Sequence, residues 1–275
     1  VKGSIAILGS GETSPALVSV HRKFVEMLDN KVNAFLIDTP FGFQENADVL
    51  VDKLQLFFKK SVQIEIKLAS LRNTNNIDSV EYFEMLEQLK SSNFIFSGPG
   101  SPSYASKTWL HSEIPNVLTN HLKDGKNAVF SSAAASTLGE KTIPVYEIYK
   151  VGMTPFWEEG LNTLELYGLS CTVVPHFNNK EGGNHDTSCS YIGKNRLNML
   201  INEEYTNILG IDEHTALVIN GEKEIFSVDG IGSVTVKTSN GQTVFEAGNE
   251  YSLSELQSIL QVTNKKELQP KKTSS

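Results

Sequence analysis

Serines, histidines and carboxylates that stand directly after apolar runs are the residues of this 275-residue chain best placed to do chemistry together. In AVFSSAAASTLGE (128–140) an apolar run enters Ser131 and Ser132 and then a block of alanines. A serine nucleophile held on a sharp strand-to-helix turn needs such small neighbours, and the N–H that follows it can help hold an oxyanion. The usual pattern is G-x-S-x-G, and Phe130 and Ala134 stand at its two glycine positions. A helix start built from small residues is the competing reading of the same stretch.

A serine nucleophile also needs a base. Of the six histidines, His21, His111 and His121 lie in or beside helical patterns and read as surface or satisfied, partly buried side chains. His176 follows the apolar run CTVVP, and His214 follows NILGIDE beside Asp212 and Glu213. His185 lies in the glycine-containing EGGNHDT. Serine, histidine and carboxylate at three strand ends can converge on a triad in which the carboxylate orients the imidazole. His176, His185 and Asp186 form a competing metal set, but their spacing offers no helical i, i+4 pair, so no metal is expected.

Two glycine loops add to this edge. Gly9-Ser10-Gly11-Glu12 resembles the start of a dinucleotide fingerprint but lacks its third glycine, so no nucleotide cofactor is expected. Gly98-Pro99-Gly100-Ser101 would let backbone approach a ligand closely, or would simply make a tight turn. Glu12, and Phe43, Gln44 and Asn46 in TPFGFQEN, are candidate substrate contacts. For Glu12 the alternative is a cap on the following helix.

These loops follow short apolar runs at 4–11, 34–40, 62–69, 93–100 and 127–132, with amphipathic helical patterns through 16–30, 45–60 and 79–92. Such alternation predicts an α/β fold with a mainly parallel sheet covered on both faces, and ligands bind outside the carboxyl ends of such strands. After about residue 208, TALVING, EIFSVDG, GSVTVKTSNG and QTVFEAG read as short strands joined by Asn-Gly and Asp-Gly turns, hence antiparallel hairpins. A helix over 252–262 closes the pattern. The expectation is one α/β domain over 1–263, with 208–263 its β-rich part, and a disordered polar tail over 264–275.

A net charge of −8 argues against nucleic acid or an anionic membrane as partner, and no stretch reaches the ~18 apolar residues of a membrane span. Val1 leads almost directly into an apolar run, so no signal peptide is expected. Two cysteines, Cys171 and Cys189, read as free thiols of a cytoplasmic protein.

FSGPGSPSY, SSAAASTLG, VPHFNN followed by Arg196-Leu197, and GIDEHTAL occur in the order found in the cyanophycinase and peptidase E (aspartyl dipeptidase) family of serine peptidases. The resemblance spans most of 4–240, while GSGETSP and DTPFGFQENAD resemble a branch described as glutamine-amidotransferase-like. It implies a three-layer α/β/α sandwich like the class I glutamine amidotransferases (flavodoxin-like). It further implies Ser132 as nucleophile, His176 as general base, Glu213 as the carboxylate, and the N–H groups of Gly100 and Ala133 as the oxyanion hole. The activity implied is hydrolysis of a small peptide, isopeptide or amide through an acyl-enzyme, without metal or cofactor. Relatives include dimers, which makes a homodimer the implied assembly.

Departures from the family pattern matter. Ala134 replaces a glycine, which would cost on the order of 1 kcal/mol if that position needed φ > 0. Phe130 replaces another and could crowd the strand. The arginine that binds an aspartyl side chain lines up loosely with Gly193, while Arg196 matches the second arginine of that region and is a candidate substrate contact. An amidotransferase would need a cysteine nucleophile, and neither cysteine falls in the elbow. The alternative reading is a catalytically degenerate relative that binds a small molecule or protein partner.

Overall fold

A computed structural model of the protein describes residues 2–28 and 31–261. The first half alternates strand and helix: β1 (Ile5–Leu8), α1 (Val18–Glu26), β2 (Ala34–Ile37), α2 (Ala47–Phe57), β3 (Ile66–Ala69), α3 (Val80–Ser91) and β4 (Phe94–Ser97). Two helices, α4 (Pro102–Leu110) and α5 (Ile114–Lys123), precede β5 (Asn127–Ser131), which runs straight into α6 (Ser132–Ser136). Short elements follow: β6 (Lys141–Thr142), α7 (Val145–Tyr149), β7 (Glu158–Glu159), β8 (Thr172–Val174) and α8 (Gly193–Glu203). The last third is β9 (Ile208–Ile211), β10 (Thr215–Asn220), β11 (Ile225–Gly230), β12 (Ser233–Thr238), β13 (Gly241–Glu246), β14 (Glu250–Ser252) and α9 (Leu253–Gln261).

The main sheet has the order β14-β11-β10-β1-β5-β4-β2-β3. Its five strands from β1 to β3 are parallel, and β10, β11 and β14 add an antiparallel edge. Period-two alternation divides the strand residues between two cores. Ile5, Ile7, Ile95 and Phe130 face one side, where Leu86, Trp109 and Leu118 of α3, α4 and α5 pack. Ala6, Leu8, Phe96 and Val129 face the other, where Val20 and Phe24 of α1 and Leu54 of α2 pack. The result is an α/β/α sandwich.

Sequence periodicity predicted the parallel strands but not the partition of the rest. β8 and β9 pair with each other in parallel and belong to a separate sheet of order β13-β12-β9-β8. The expected helix over 45–60 ends at Phe57 and continues as a π-helical turn, Phe58–Val62, closed by Gln63 in the left-handed region at φ 67°. The polar tail at 264–275 and the end of the expected 16–30 helix lie outside the described residues.

Two histidines contradict the expected partly exposed placement. His21 on α1 is fully buried, edge-on to Phe57, Phe58 and Phe96, and its Nε2 donates to the Glu12 carbonyl at 2.8 Å. His121 on α5 is 3% exposed, and its Nε2 donates to the Asn127 carbonyl at 2.9 Å. Burial pushes both imidazoles down to about 4. The unfolded chain therefore binds more protons than the native one between pH 6.5 and 4, and stability falls as pH drops through that window. The loss is on the order of 3 kcal/mol per histidine. Urea midpoints measured from pH 7 to 4 are expected to drop steeply for the wild type and less for His21→Phe/His121→Gln; parallel profiles would refute this account.

Candidate active site

β5 ends in extended conformation at Ser131, and the chain turns sharply at Ser132, whose φ is 51°. An L-residue pays for that left-handed backbone, so neighbours must hold it. Ser131 Oγ donates to Glu12 Oε2 at 2.9 Å, and Ala134 N–H donates to the Gly98 carbonyl at 3.2 Å. Glu12 thus braces the residue before the turn. It neither caps the helix, where Ser14 Oγ accepts from Ala16 N–H, nor lines the cavity beside Ser132.

Ala134 lies inside α6 and outside the positive-φ set, so its Cβ carries none of the feared backbone cost. Phe130 is fully buried in the core on one side of the sheet and does not crowd the serine.

His176 follows β8 with φ 49°. Its N–H donates to the Gly9 carbonyl at 3.1 Å, which ties the end of β8 to the end of β1 across the two sheets. Gly9 is required there, because a Cβ would lie 2.1 Å from the Asp212 carbonyl oxygen. The segment carrying His176 is pinned from the other side by three consecutive non-glycine residues in the left-handed region, Cys189, Ser190 and Tyr191. Cys189 N–H donates to the Phe177 carbonyl and Ser190 Oγ to the Pro175 carbonyl, while the Tyr191 ring lies 5.1 Å from the imidazole.

Ser132 Oγ and His176 Nε2 are 2.7 Å apart, and His176 Nδ1 is 2.9 Å from Glu213 Oε1. A carboxylate only accepts, so Nδ1 carries the proton and Nε2 presents its lone pair to the serine hydroxyl. Asn179 Nδ2 also donates to Glu213 Oε1, at 2.8 Å, and Thr187 Oγ1 holds Asn179 by donating to its Oδ1 at 2.6 Å. The hydrogen bond from His176, together with that from Asn179, holds the Glu213 carboxyl below the usual range against the opposing effect of burial.

A cavity of about 390 Å³ opens beside Ser132 and His176, with Gly100 and Ala133 in its lining. Gly100 has φ 146°, and a Cβ there would fall 2.0 Å from the Pro40 carbonyl oxygen. Neither Gly100 N–H nor Ala133 N–H has an acceptor among the described residues, which leaves both able to bind an oxyanion. Sequence reasoning missed the aromatic wall formed by Tyr146 and Tyr149 of α7 and by Tyr191. The tyrosine spacing in PVYEIYK was its only signal. Burial, with Glu181 and Glu213 nearby, pushes the Tyr191 phenol up to about 12.

The remaining predicted contacts separate. Phe43 and Gln44 line a second cavity, whereas Asn46 is exposed ahead of α2 and lines neither. Arg196 is also exposed, and its Nη1 donates to the Ile192 carbonyl. His185 stacks on Tyr149, and Asp186 accepts from Ser188 and Lys194; no cluster of three or more His, Cys, Asp or Glu suited to a metal occurs among the described residues. Burial raises both cysteine thiols above their ordinary range, which argues against either as a thiolate nucleophile.

No curated protein matches the sequence. A peptidase from an acI-B1 Actinobacterium shares the fold at 23% identity and TM-score 0.73, over 91% of this chain and 97% of that one. A candidate peptidase E protein from Listeria monocytogenes EGD-e is 16% identical with TM-score 0.54, over 84% of this chain and 100% of that one. The model of peptidase family S51 matches residues 5–226, four-fifths of the sequence, including Ser132, His176 and Glu213. The chain belongs to peptidase family S51.

Proposed function

We propose that the protein is a serine peptidase or amidohydrolase in which Ser132, His176 and Glu213 act as a triad on a small peptide, isopeptide or amide. The observation that carries this reading is the continuous chain of hydrogen bonds from Ser132 Oγ through His176 to Glu213 Oε1. Ser132 Oγ attacks the scissile carbonyl while His176 Nε2 takes its proton. The N–H groups of Gly100 and Ala133 receive the developing oxyanion, and His176 then returns the proton to the leaving amine. Water, activated by the same imidazole, hydrolyses the acyl-enzyme. Glu213 stays ionised throughout and fixes the tautomer.

Two features support catalysis over a binding-only role. The lost elbow glycine at Ala134 carries no backbone cost, and Ser132 itself occupies the strained position. Arg196 lies outside the cavity and gives no support to specificity for an acidic side chain; Lys150 is the cationic residue in the lining that an acidic group would meet. The two free, buried cysteines support a cytoplasmic setting, and no described helix is long and apolar enough to cross a membrane.

A mixed pool of α- and β-linked dipeptides and simple amides, followed by mass spectrometry with wild type and Ser132→Ala, tests the reading. Particular species are expected to disappear with wild type only, and Ser132→Ala to lose about a thousandfold or more in kcat/KM. Equal loss with both proteins would move the chemistry off Ser132. Glu213→Gln would stabilise the wrong imidazole tautomer and is expected to lower kcat by on the order of 10⁴-fold; near-normal turnover would remove Glu213 from the mechanism. Asn179→Ala takes one donor from the Glu213 carboxylate, so its pKa is expected to rise in a carboxyl NMR titration, and an unchanged titration would show that Asn179 does not tune it.

A further inference from the structure

A second cavity, of about 520 Å³, shares Tyr146 as a wall with the cavity beside Ser132. One side of it is aromatic: the Phe43 and Tyr104 rings lie 5.0 Å apart, and the Tyr104 hydroxyl is held by the Arg72 carbonyl. Phe43 is 50% exposed, an apolar ring left facing solvent at the rim. The other side holds a carboxylate. Ser103 Oγ donates to Glu147 Oε1 at 2.6 Å, but Glu147 Oε2 is buried and has no hydrogen-bond partner.

Buried acceptors are almost always satisfied, and a carboxylate with one oxygen left bare is costly unless a counter-charge lies nearby. The lysine in the same lining does not supply it, since Lys107 Nζ is engaged with Glu158 at 2.8 Å. What is left is an aromatic-walled recess whose one carboxylate has no cationic partner among the described residues. Its complement is a cationic donor on an apolar stem, which gains from the carboxylate and from the ring faces together.

The recess is not remote from the chemistry. Glu147 and Tyr146 are adjacent on α7, and Tyr146 and Tyr149 of the same helix wall the cavity beside Ser132. A substrate bound for attack by Ser132 could therefore extend past Tyr146 into the recess. We infer that the second cavity is a substrate subsite for a protonated amine, with the Glu147 carboxylate pairing with the ammonium group and the Phe43–Tyr104 wall packing against its apolar stem. As a subsite it rests on the hydrolase reading; as a binding site it does not. The ammonium can come from a peptide N-terminus or from a lysine-type side chain.

Binding is measured by calorimetry on Ser132→Ala with three probes: leucyl-phenylalanine amide, its N-acetyl form, and N-acetyl-lysyl-phenylalanine amide. At least one ammonium-bearing probe is expected to bind about tenfold more tightly than the neutral one, and whichever does so identifies the source of the amine. Ser132→Ala/Glu147→Gln is expected to lose that preference while still binding the neutral probe. Glutamine keeps the shape of the side chain and an acceptor for Ser103, so the melting temperature should change little. Equal binding of all three probes, no binding of any, or a preference that survives Glu147→Gln would overturn the inference. Labelling of wild-type Ser132 by a small fluorophosphonate separates the two claims. Labelling without an amine preference sinks the subsite alone, whereas an amine preference without labelling leaves the site standing and overturns the hydrolase reading.

Discussion

The left-handed backbone at Ser132 is the constraint on which the rest of this edge depends. A non-glycine residue at φ 51° costs on the order of 1–2 kcal/mol, and it persists only where its surroundings leave no relaxed alternative. Here the surroundings act from three sides. The strand before it is fixed in register between β1 and β4, with Ser131 opposite Leu8 and Phe130 opposite Ser97. Glu12 takes the Ser131 hydroxyl, and the Gly98 carbonyl of the β4–α4 loop takes the Ala134 amide of α6. None of these contacts touches Ser132 Oγ itself. They convert folding free energy into the aim of one hydroxyl.

His176 repeats the arrangement in a different sheet. It too is left-handed, and its position depends on Gly9 allowing the end of β1 to meet the turn after β9. The same turn carries Glu213, whose N–H donates to Asn178 Oδ1 while its carboxylate accepts from Asn179. His176 and Glu213 are thus joined through one loop as well as through their own hydrogen bond. The two sheets meet where the serine of one and the histidine of the other must touch, and one apolar core contains Ile5 and Ile7 of the first with Leu209 and Ile211 of the second.

How much of this could be read beforehand depended on distance along the chain. Strand ends are local signals: an apolar run followed by Ser132, His176 or Glu213 marks a residue at an edge without any knowledge of partners. Strand pairing is not local, so nothing in CTVVP or NILGI indicated a sheet of their own. α7 is five residues long, too short for a helical period to emerge, and most of the aromatic wall went unseen with it. The left-handed run at 189–191 contains no glycine to announce it. Glu12 reads from the sequence as a substrate contact or a helix cap, because its actual partner, Ser131, is 119 residues away and no local signal points to it.

Tyr146 belongs to the walls of both cavities. A shared wall residue makes the two compartments dependent on each other: a change in the position of Tyr146 alters both. Substitutions on opposite faces of this short helix should therefore not combine additively, since coupling of 0.5–3 kcal/mol is usual for residues that share a cavity wall. Variation in this family member's selectivity would then be written in pairs of changes around α7, not in single ones.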